Sequence, residues 1–139
     1  MLKVMIAEDD VFISDMLEMA LIEGGYEVRG IARTVREAIV LDARHDPDLA
    51  ILDLRLAEGG LGTEIAAQIK RPGGPGILYA TGNPGQVALT AADGEACLSK
   101  PYPLEDVIRS LEIVTEIAST GKALPPFPAG LELLSSVTL

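Results

Sequence analysis

The chain has 139 residues, which is the length of one domain of ordinary size. It is 48% hydrophobic and 23% charged, as globular proteins are, and its 4% aromatic content predicts a mainly aliphatic core. The formal charge of −10 argues against direct nucleic-acid binding, because most of the surface would repel phosphate. With one Cys and one His, the chain has neither a disulfide framework nor the ligands of a tetrahedral zinc site. No stretch is long and apolar enough for a membrane span, and we expect a cytoplasmic location.

Short strand-like runs alternate with helical periods along the chain, which is the pattern of a doubly wound α/β fold. Five of these runs are short and apolar, as strands buried on both faces require. The predicted strands cover residues 3–7, 26–31, 49–52, 77–80 and 96–99. The sequence therefore predicts a five-stranded parallel sheet.

Helical periodicity fills the intervals between these strands. The first predicted helix ends at Gly24, the second runs from Thr34 to about His45, and the third runs from Thr63 through Lys70. The fourth covers residues 84–93, and the fifth covers residues 104–118 and is ended by Gly121. The fourth helix is weak, because Pro84, Gly85 and Thr90 lower its helical propensity. We therefore expect mobility or irregularity in that segment.

The composition changes after Gly121. Three prolines between residues 123 and 128 predict an extended linker, and residues 131–139 form an apolar tail with little charge. We expect a folded domain over residues 1–121 and a linker and tail over residues 122–139. The tail is interpreted either as a frayed terminus or as a segment that docks on its own domain or on a second copy.

Polar residues follow four of the predicted strands at the points where these strands end. Ligands of a doubly wound sheet bind outside the carboxyl ends of its strands. These ends carry, in chain order, Glu8-Asp9-Asp10, Asp53, Thr81-Gly82 and Ser99-Lys100. Glu8, Asp9 and Asp53 would converge as three carboxylates. Such a cluster is costly unless a divalent cation or Lys100 compensates its charge.

This set of residues suits aspartyl-phosphate chemistry. Mg²⁺ prefers oxygen ligands and is commonly held by a few carboxylates together with phosphate oxygens. With the ion on Glu8 and Asp9, Asp53 remains as a nucleophile that can form an acyl phosphate. The hydroxyl of Thr81 and the ammonium of Lys100 would each contact a phosphoryl oxygen. The sequence therefore predicts Mg²⁺-dependent capture of a phosphoryl group by Asp53.

Four segments at these strand ends resemble the receiver domains of two-component response regulators. They are residues 4–10, 48–54, 77–82 and 97–102, within a match of about residues 2–119. The resemblance implies a CheY-like, flavodoxin-like (βα)5 fold. It also implies that a histidine kinase or a phosphotransfer protein donates the phosphoryl group to Asp53. Such a protein signals by contact with partners, and its only catalysis is its own phosphorylation and dephosphorylation.

The resemblance further implies the roles of the site residues. Mg²⁺ would be held by Glu8, Asp9 and Asp53, joined by the backbone carbonyl of Arg55. Lys100 would bind the phosphoryl group and Thr81 would report on it. The peptide bond that follows this lysine is usually cis in such receivers, and Pro101 makes a cis bond possible here.

The run Tyr79-Ala80-Thr81-Gly82 resembles an atypical receiver subfamily, called FATGUY, that lacks the usual aromatic switch. Cys97 occupies the position at which most receivers carry Tyr or Phe, and we interpret it as a small buried hydrophobe. Signal transmission would then depend on the backbone of the loop with Gly82 and Asn83. An ordinary flexible loop is the alternative. A pliable loop is also predicted after the acceptor, over residues 58–62.

We expect a stand-alone receiver, because the residues after Gly121 are too few for an output domain. Its downstream partner is unknown from the sequence. Ile113 and Ile117 could extend the apolar stripe of the fifth helix into a homodimer interface. The alternative function is a haloacid-dehalogenase-like phosphohydrolase with Asp53 as nucleophile. Such enzymes place an acid two positions after the nucleophile, where this chain has Arg55.

Two further alternatives remain at this stage. A flavodoxin-like cofactor binder would share the strand order, but Glu8, Asp9 and Asp10 would repel the phosphate of its cofactor. A receiver-like protein that is never phosphorylated is the second, and the full set of site residues argues against it.

Overall fold

The computed structural model of the protein describes residues 1–82 and 88–134. In chain order, its strands and helices are β1 (Lys3–Ala7), α1 (Val11–Glu23), β2 (Glu27–Ala32), α2 (Val35–His45), β3 (Leu49–Leu52), α3 (Gly62–Ile69), β4 (Gly76–Thr81), β5 (Ala96–Ser99), α4 (Leu104–Thr120) and β6 (Leu131–Leu133). A short 3-10 helix, Ala57–Gly59, lies between β3 and α3. Within the described residues, none of the helices combines the length and apolar character needed to span a bilayer.

The strands form a single sheet in the order β2-β1-β3-β4-β5-β6. The first five are parallel and confirm the predicted sheet, with bounds that differ from the prediction by a residue at some ends. β6 is an additional strand, antiparallel to β5, which the sequence did not predict. Because β1 and β3 are neighbours at the centre, their carboxyl ends open at the same edge of the sheet.

Helices cover both faces of the sheet, and each pair of helices closes one core cluster. Alternate residues of a strand point to opposite faces. Val4 and Ile6 of β1 pack with residues of α1 and α4, whereas Met5 and Ala7 pack with residues of α2 and α3. All four of these side chains are buried. The sheet is therefore the middle layer of three, as the alternating pattern predicts.

Side-chain caps account for two of the helix starts. The Asp10 carboxylate accepts a hydrogen bond from the backbone N–H of Ile13 at 3.1 Å and caps α1. The Thr34 hydroxyl accepts one from the N–H of Glu37 at 3.1 Å and caps α2, as predicted. The predicted cap at Thr63 is wrong. α3 already begins at Gly62, because the Glu64 carboxylate accepts a hydrogen bond from the N–H of Leu61 at 3.0 Å and caps the helix earlier in the chain than Thr63 could.

The predicted fourth helix is wrong where the structure describes it. Residues 84–87 lie outside the described part of the chain, residues 88–90 have no regular secondary structure, and residues 91–93 form a turn instead of a helix. Asp93 accounts for this difference, since its carboxylate accepts hydrogen bonds from the backbone and side chain of Thr90 at 2.8 and 3.3 Å. Such local bonds compete with helical ones. The described helices therefore number four.

The C-terminal segment packs on the domain as far as it is described. β6 pairs with β5, and Phe127, Leu131 and Leu133 pack over Ile113 and Ile117 of α4. Docking on its own domain is thus the interpretation that holds for this part of the tail. The prediction that Ile113 and Ile117 extend the apolar stripe of this helix into an interface is wrong for the domain as it is folded here. The two side chains are only 0% and 9% exposed, because the tail covers them.

Candidate functional site

The carboxyl ends of the central strands open into one cavity of about 330 Å³. Its lining residues are Glu8, Asp9, Asp10, Ile13, Asp53, Arg55, Thr81, Gly82 and Lys100. All of the predicted site residues are among them except Asn83, which lies outside the described residues. The fold therefore brings together side chains that come from four different strand ends.

The three predicted carboxylates form a tight cluster. One oxygen of each of Glu8, Asp9 and Asp53 lies within 4.8 Å of the other two. Their surroundings differ, since Glu8 is buried, Asp53 is half-buried and Asp9 is exposed. Asp10 follows directly in the sequence, but its carboxylate caps α1. The cluster is therefore open to solvent on the side of Asp9 and closed on the side of Glu8.

Lys100 reaches into this cluster from the end of β5. Its ammonium Nζ donates hydrogen bonds to Glu8 Oε1 at 2.8 Å and to Asp53 Oδ2 at 3.1 Å. Its backbone N–H donates to the carbonyl oxygen of Thr81 at 2.7 Å, which holds the ends of β4 and β5 together. The Lys100–Pro101 peptide bond is cis, as the resemblance implies. One ammonium thus compensates part of the charge of three carboxylates.

Burial and like charge shape the electrostatics of the cluster. Burial raises the pKa of the Glu8 carboxyl to about 7, and the Asp53 carboxylate adds to the rise, while the hydrogen bond from Lys100 opposes it. Burial alone would lower the pKa of Lys100. Its contacts with Glu8 and Asp53 outweigh burial and raise that pKa above the ordinary value. The site therefore carries more negative charge than its one lysine neutralises.

Backbone packing fixes the position of Asp53, and the sequence analysis missed the residue responsible. The Asp53 N–H donates to the carbonyl of Ala7 at 2.9 Å, which ties the acceptor to the end of β1. A Cβ atom at Gly62 would overlap the carbonyl oxygen of Asp53 and would lie 3.1 Å from its carbonyl carbon. The sequence predicts a pliable loop over residues 58–62, but Gly62, its last residue, packs against the backbone of Asp53. The feature that could have indicated this role is a glycine at the first position of a helix.

Cys97 is a small buried residue, as predicted. Cys97 is buried in the core cluster that also contains Tyr79, and burial raises the pKa of its thiol to about 11. Tyr79 is fully buried, and its hydroxyl donates to the carbonyl of Asp93 at 2.7 Å. Burial also raises the pKa of the Tyr79 hydroxyl. Tyr79 thus ties β4 to the turn that precedes β5.

Tyr102 is a second residue that sequence reasoning missed. It lines a mainly apolar cavity of about 190 Å³ between the start of α4 and α1, beside Lys100. Its hydroxyl oxygen is buried and has no hydrogen-bond partner among the residues that the structure describes. An unpaired buried hydroxyl is destabilising. No sequence signal distinguishes it from an ordinary aromatic residue of the core.

Comparison with known proteins identifies the family. A family model for the response regulator receiver domain matches residues 4–112. The chain belongs to this family. Receiver domains are signalling domains of two-component systems rather than regular enzymes, and this one has the α/β flavodoxin-like receiver fold. The comparisons give no support to the alternative of a phosphohydrolase.

Individual relatives agree with this assignment. The chain is 32% identical over 114 residues to the transcriptional regulatory protein PdtaR of Mycobacterium tuberculosis, covering 80% of the chain and 55% of PdtaR. It is 27% identical over 142 residues to the virulence transcriptional regulatory protein PhoP of Salmonella typhimurium. This match covers 94% of the chain and 61% of PhoP. The chain thus spans little more than half the length of these curated relatives. The chemotaxis response regulator CheY4 of Vibrio cholerae superposes with a TM-score of 0.72 at 26% identity, covering 82% of this chain and 98% of that one.

Proposed function

We propose that this receiver domain accepts a phosphoryl group on Asp53 from a histidine kinase or a phosphotransfer protein, and signals by protein contact. The observation that carries the proposal is the arrangement around Asp53. Its carboxylate is half-buried, lies in a cavity open to solvent, and contacts a lysine ammonium at 3.1 Å. A carboxylate placed in this way can act as a nucleophile toward phosphorus.

The donor atoms around Asp53 fit Mg²⁺. They are carboxylate oxygens, the ligand type that this ion prefers, and the cluster carries an excess of negative charge. Glu8, Asp9 and Asp53 would hold the ion, together with the backbone carbonyl of Arg55, a residue of the same cavity. When bound, Mg²⁺ neutralises charge on the transferred group.

The residues of this chain supply the remaining steps. A carboxylate oxygen of Asp53 attacks the phosphorus, the P–N bond of the phosphohistidine donor breaks, and an acyl phosphate forms. The Lys100 ammonium exchanges its hydrogen bond with Asp53 for one with a phosphoryl oxygen. The Thr81 hydroxyl, at the end of β4, contacts a second phosphoryl oxygen. Water later hydrolyses the acyl phosphate, which returns the domain to its unphosphorylated state.

A patch of exposed apolar residues next to the site supports a protein as the donor. Large hydrophobic side chains on α1 are 43% to 83% exposed, and they are Val11, Phe12, Met16, Met19 and Ile22. Exposed apolar patches of this kind are typical of protein interaction sites. Met16 also lines the cavity that reaches Lys100. We therefore propose that α1 is the docking surface for the phosphoryl donor.

The test is direct phosphorylation by a small donor. The protein is incubated with Mg²⁺ and acetyl phosphate, and its intact mass is measured. The wild type is expected to gain one phosphoryl group and to lose it after the donor is removed. Asp53→Asn is expected to gain none, and Asp15→Asn, at an exposed position of α1, serves as the matched control that still gains one. A wild type without added mass would contradict the proposal.

The other expectations stay predictions. We propose that residues 1–121 form the receiver unit and that residues 122–139 form an accessory segment. The homodimer, the cytoplasmic location and the assignment to the FATGUY subfamily stay predictions from the sequence.

A further inference from the structure

Residues 122–134, which we call the strap, cover one side of the domain. Three residue pairs join the strap to β5: Ala96 with Leu133, Cys97 with Glu132, and Leu98 with Leu131. Two further backbone hydrogen bonds extend this pairing, from Ser99 to the carbonyl of Gly130 at 3.1 Å and from Leu134 to the carbonyl of Glu95 at 3.0 Å. The outer edge of β5 is therefore fully paired by the chain itself.

The strap also covers an apolar part of α4. Ile113, Ile117 and the strap's own Ala123 form a small buried cluster, and Phe127 with Leu131 packs against it. Without the strap, a strand edge and two isoleucine side chains would lie side by side on the surface. Unpaired strand edges and contiguous apolar patches are the features by which proteins bind other chains. The strap therefore occupies a surface that could otherwise bind a partner.

Besides the pairing with β5 and the Ile113 cluster, a few polar contacts with α4 hold the described part of the strap in this position. Arg109 of α4 donates hydrogen bonds to the carbonyls of Leu124 at 2.6 Å and Pro126 at 3.0 Å. The carboxylate of Glu116 accepts one from the N–H of Leu124 at 3.2 Å. β6 has only three residues, and such short peripheral elements open more easily than the core. The strap is therefore a part of the fold that can be released while the rest stays folded.

The strap is joined to the phosphoacceptor site through the end of β5. Ser99, which pairs with Gly130 of the strap, directly precedes Lys100. The ammonium of Lys100 holds Asp53, and its backbone N–H holds the end of β4 at Thr81. A phosphoryl group on Asp53 has to enter between that residue and Lys100. The Lys100 ammonium then has to leave Asp53, and the pair of Ser99 with Gly130 is the strap contact next to Lys100 in the sequence.

We propose that the strap is seated on β5 while Asp53 is unphosphorylated, and that phosphorylation loosens it. Loosening exposes the edge of β5 together with Ile113 and Ile117. In the structure, the seated strap and the 3.1 Å contact between Lys100 and Asp53 occur together, and a phosphoryl group on Asp53 displaces that contact. This inference rests on the proposed function, because it requires phosphorylation of Asp53.

Thermodynamic linkage makes the proposal quantitative. If occupation of Asp53 loosens the strap by some factor, loosening the strap must favour occupation of Asp53 by the same factor. Couplings between two sites are commonly about 5- to 150-fold. We therefore expect strap exchange in the wild type to change by a factor in this range, and release of the strap to tighten binding at Asp53 by up to the same factor.

The first measurement is hydrogen exchange with mass spectrometry, under conditions in which exchange follows the opening equilibrium. Beryllofluoride with Mg²⁺ is the probe, since it mimics the phosphoryl group, and ¹⁹F NMR reports its binding. Amides of residues 130–134 are expected to exchange faster, by a factor in the stated range, in the wild type but not in Asp53→Asn. If beryllofluoride binds and these amides exchange at an unchanged rate, the strap inference is wrong and the proposed function stands. If beryllofluoride does not bind the wild type, both are wrong.

The second measurement is the affinity for beryllofluoride in variants with a weakened strap. Leu131→Asp places a charge against the Ile113 cluster, and Arg109→Ala removes two hydrogen bonds to the strap from a position outside the core. Both variants are expected to bind beryllofluoride more tightly than the wild type. Lys122→Gln is the matched control, because this strap side chain is exposed, and the affinity of this variant should be unchanged. A variant whose strap amides exchange as though the strap were open in most molecules, but which binds beryllofluoride with wild-type affinity, would overturn the inference. If Leu131→Asp does not fold, the inference is still tested by the beryllofluoride affinity of Arg109→Ala and by hydrogen exchange of the wild-type strap.

Discussion

Gly62 packs so closely against the phosphoacceptor that Gly62→Ala tests how Asp53 is held in place. A Cβ atom at this position would lie nearer to the Asp53 carbonyl oxygen than the 3.0 Å below which real Cβ atoms are essentially never found. The obstacle is backbone on both sides, since Gly62 itself donates a hydrogen bond to the carbonyl of Leu54 at 2.9 Å. Neither partner can rotate away, so one of the two segments has to shift.

The size of the effect follows from this geometry. Overpacking of a buried position costs about 1–3 kcal/mol, and replacing a helical glycine by alanine returns about 0.5–1 kcal/mol. We therefore expect Gly62→Ala to lower the free energy of unfolding by about 0.5–2 kcal/mol. A displacement on the order of 1 Å would also break the 3.1 Å contact between Asp53 and Lys100. Misplacement by this distance slows a reaction by about 100-fold.

Two assays together check this prediction. Urea unfolding measures the free energy, and intact mass followed over time gives the rate of phosphorylation by acetyl phosphate. Gly130→Ala is the matched control, because a Cβ there would meet the Ser99 carbonyl oxygen at an ordinary 3.6 Å. The control should match the wild type in both assays. A Gly62→Ala variant that is as stable as the wild type and is phosphorylated at the same rate would refute the reasoning.

Three further predictions follow from single side chains. Tyr102→Phe should raise the free energy of unfolding by about 1 kcal/mol, because it removes a buried hydroxyl without a partner among the described residues; a loss of stability in urea unfolding would contradict this. Tyr79→Phe should lower it by about 1 kcal/mol, since the 2.7 Å hydrogen bond to Asp93 disappears, and an unchanged midpoint would contradict this. Cys97, whose pKa burial raises to about 11, should react with iodoacetamide far more slowly in the folded protein than in urea at mildly alkaline pH, whereas equal rates would show an accessible thiol.

The gathering of the site residues could be predicted because it depends on a general property of parallel sheets. Glu8, Asp53, Thr81 and Lys100 each directly follow or end an apolar strand, and the carboxyl ends of such strands share one edge. The prediction needed only the order of strands and helices, and not their exact bounds. Three of these side chains, together with Asp9, accordingly lie in direct contact or within a few ångströms of one another.

The remaining features depend on partners that are distant in the sequence. β6 is only three residues long, and its residues become a strand only because the edge of β5 lies beside them. For the same reason, the burial of Ile113 could not be read from the pattern of its own helix. The role of Gly62 depends on a contact with the backbone of Asp53, and a glycine in a glycine-rich loop more often indicates flexibility.

The location of the phosphoryl group on the chain tests the central claim most directly. After incubation with acetyl phosphate and Mg²⁺, the protein is reduced with sodium borohydride, which converts an aspartyl phosphate to homoserine. Peptide mapping by tandem mass spectrometry then locates the converted residue. We predict homoserine at position 53 alone, and only in the sample that received the donor. Conversion at Glu8 or Asp9, or a gain of phosphoryl mass without conversion of Asp53, would contradict the account.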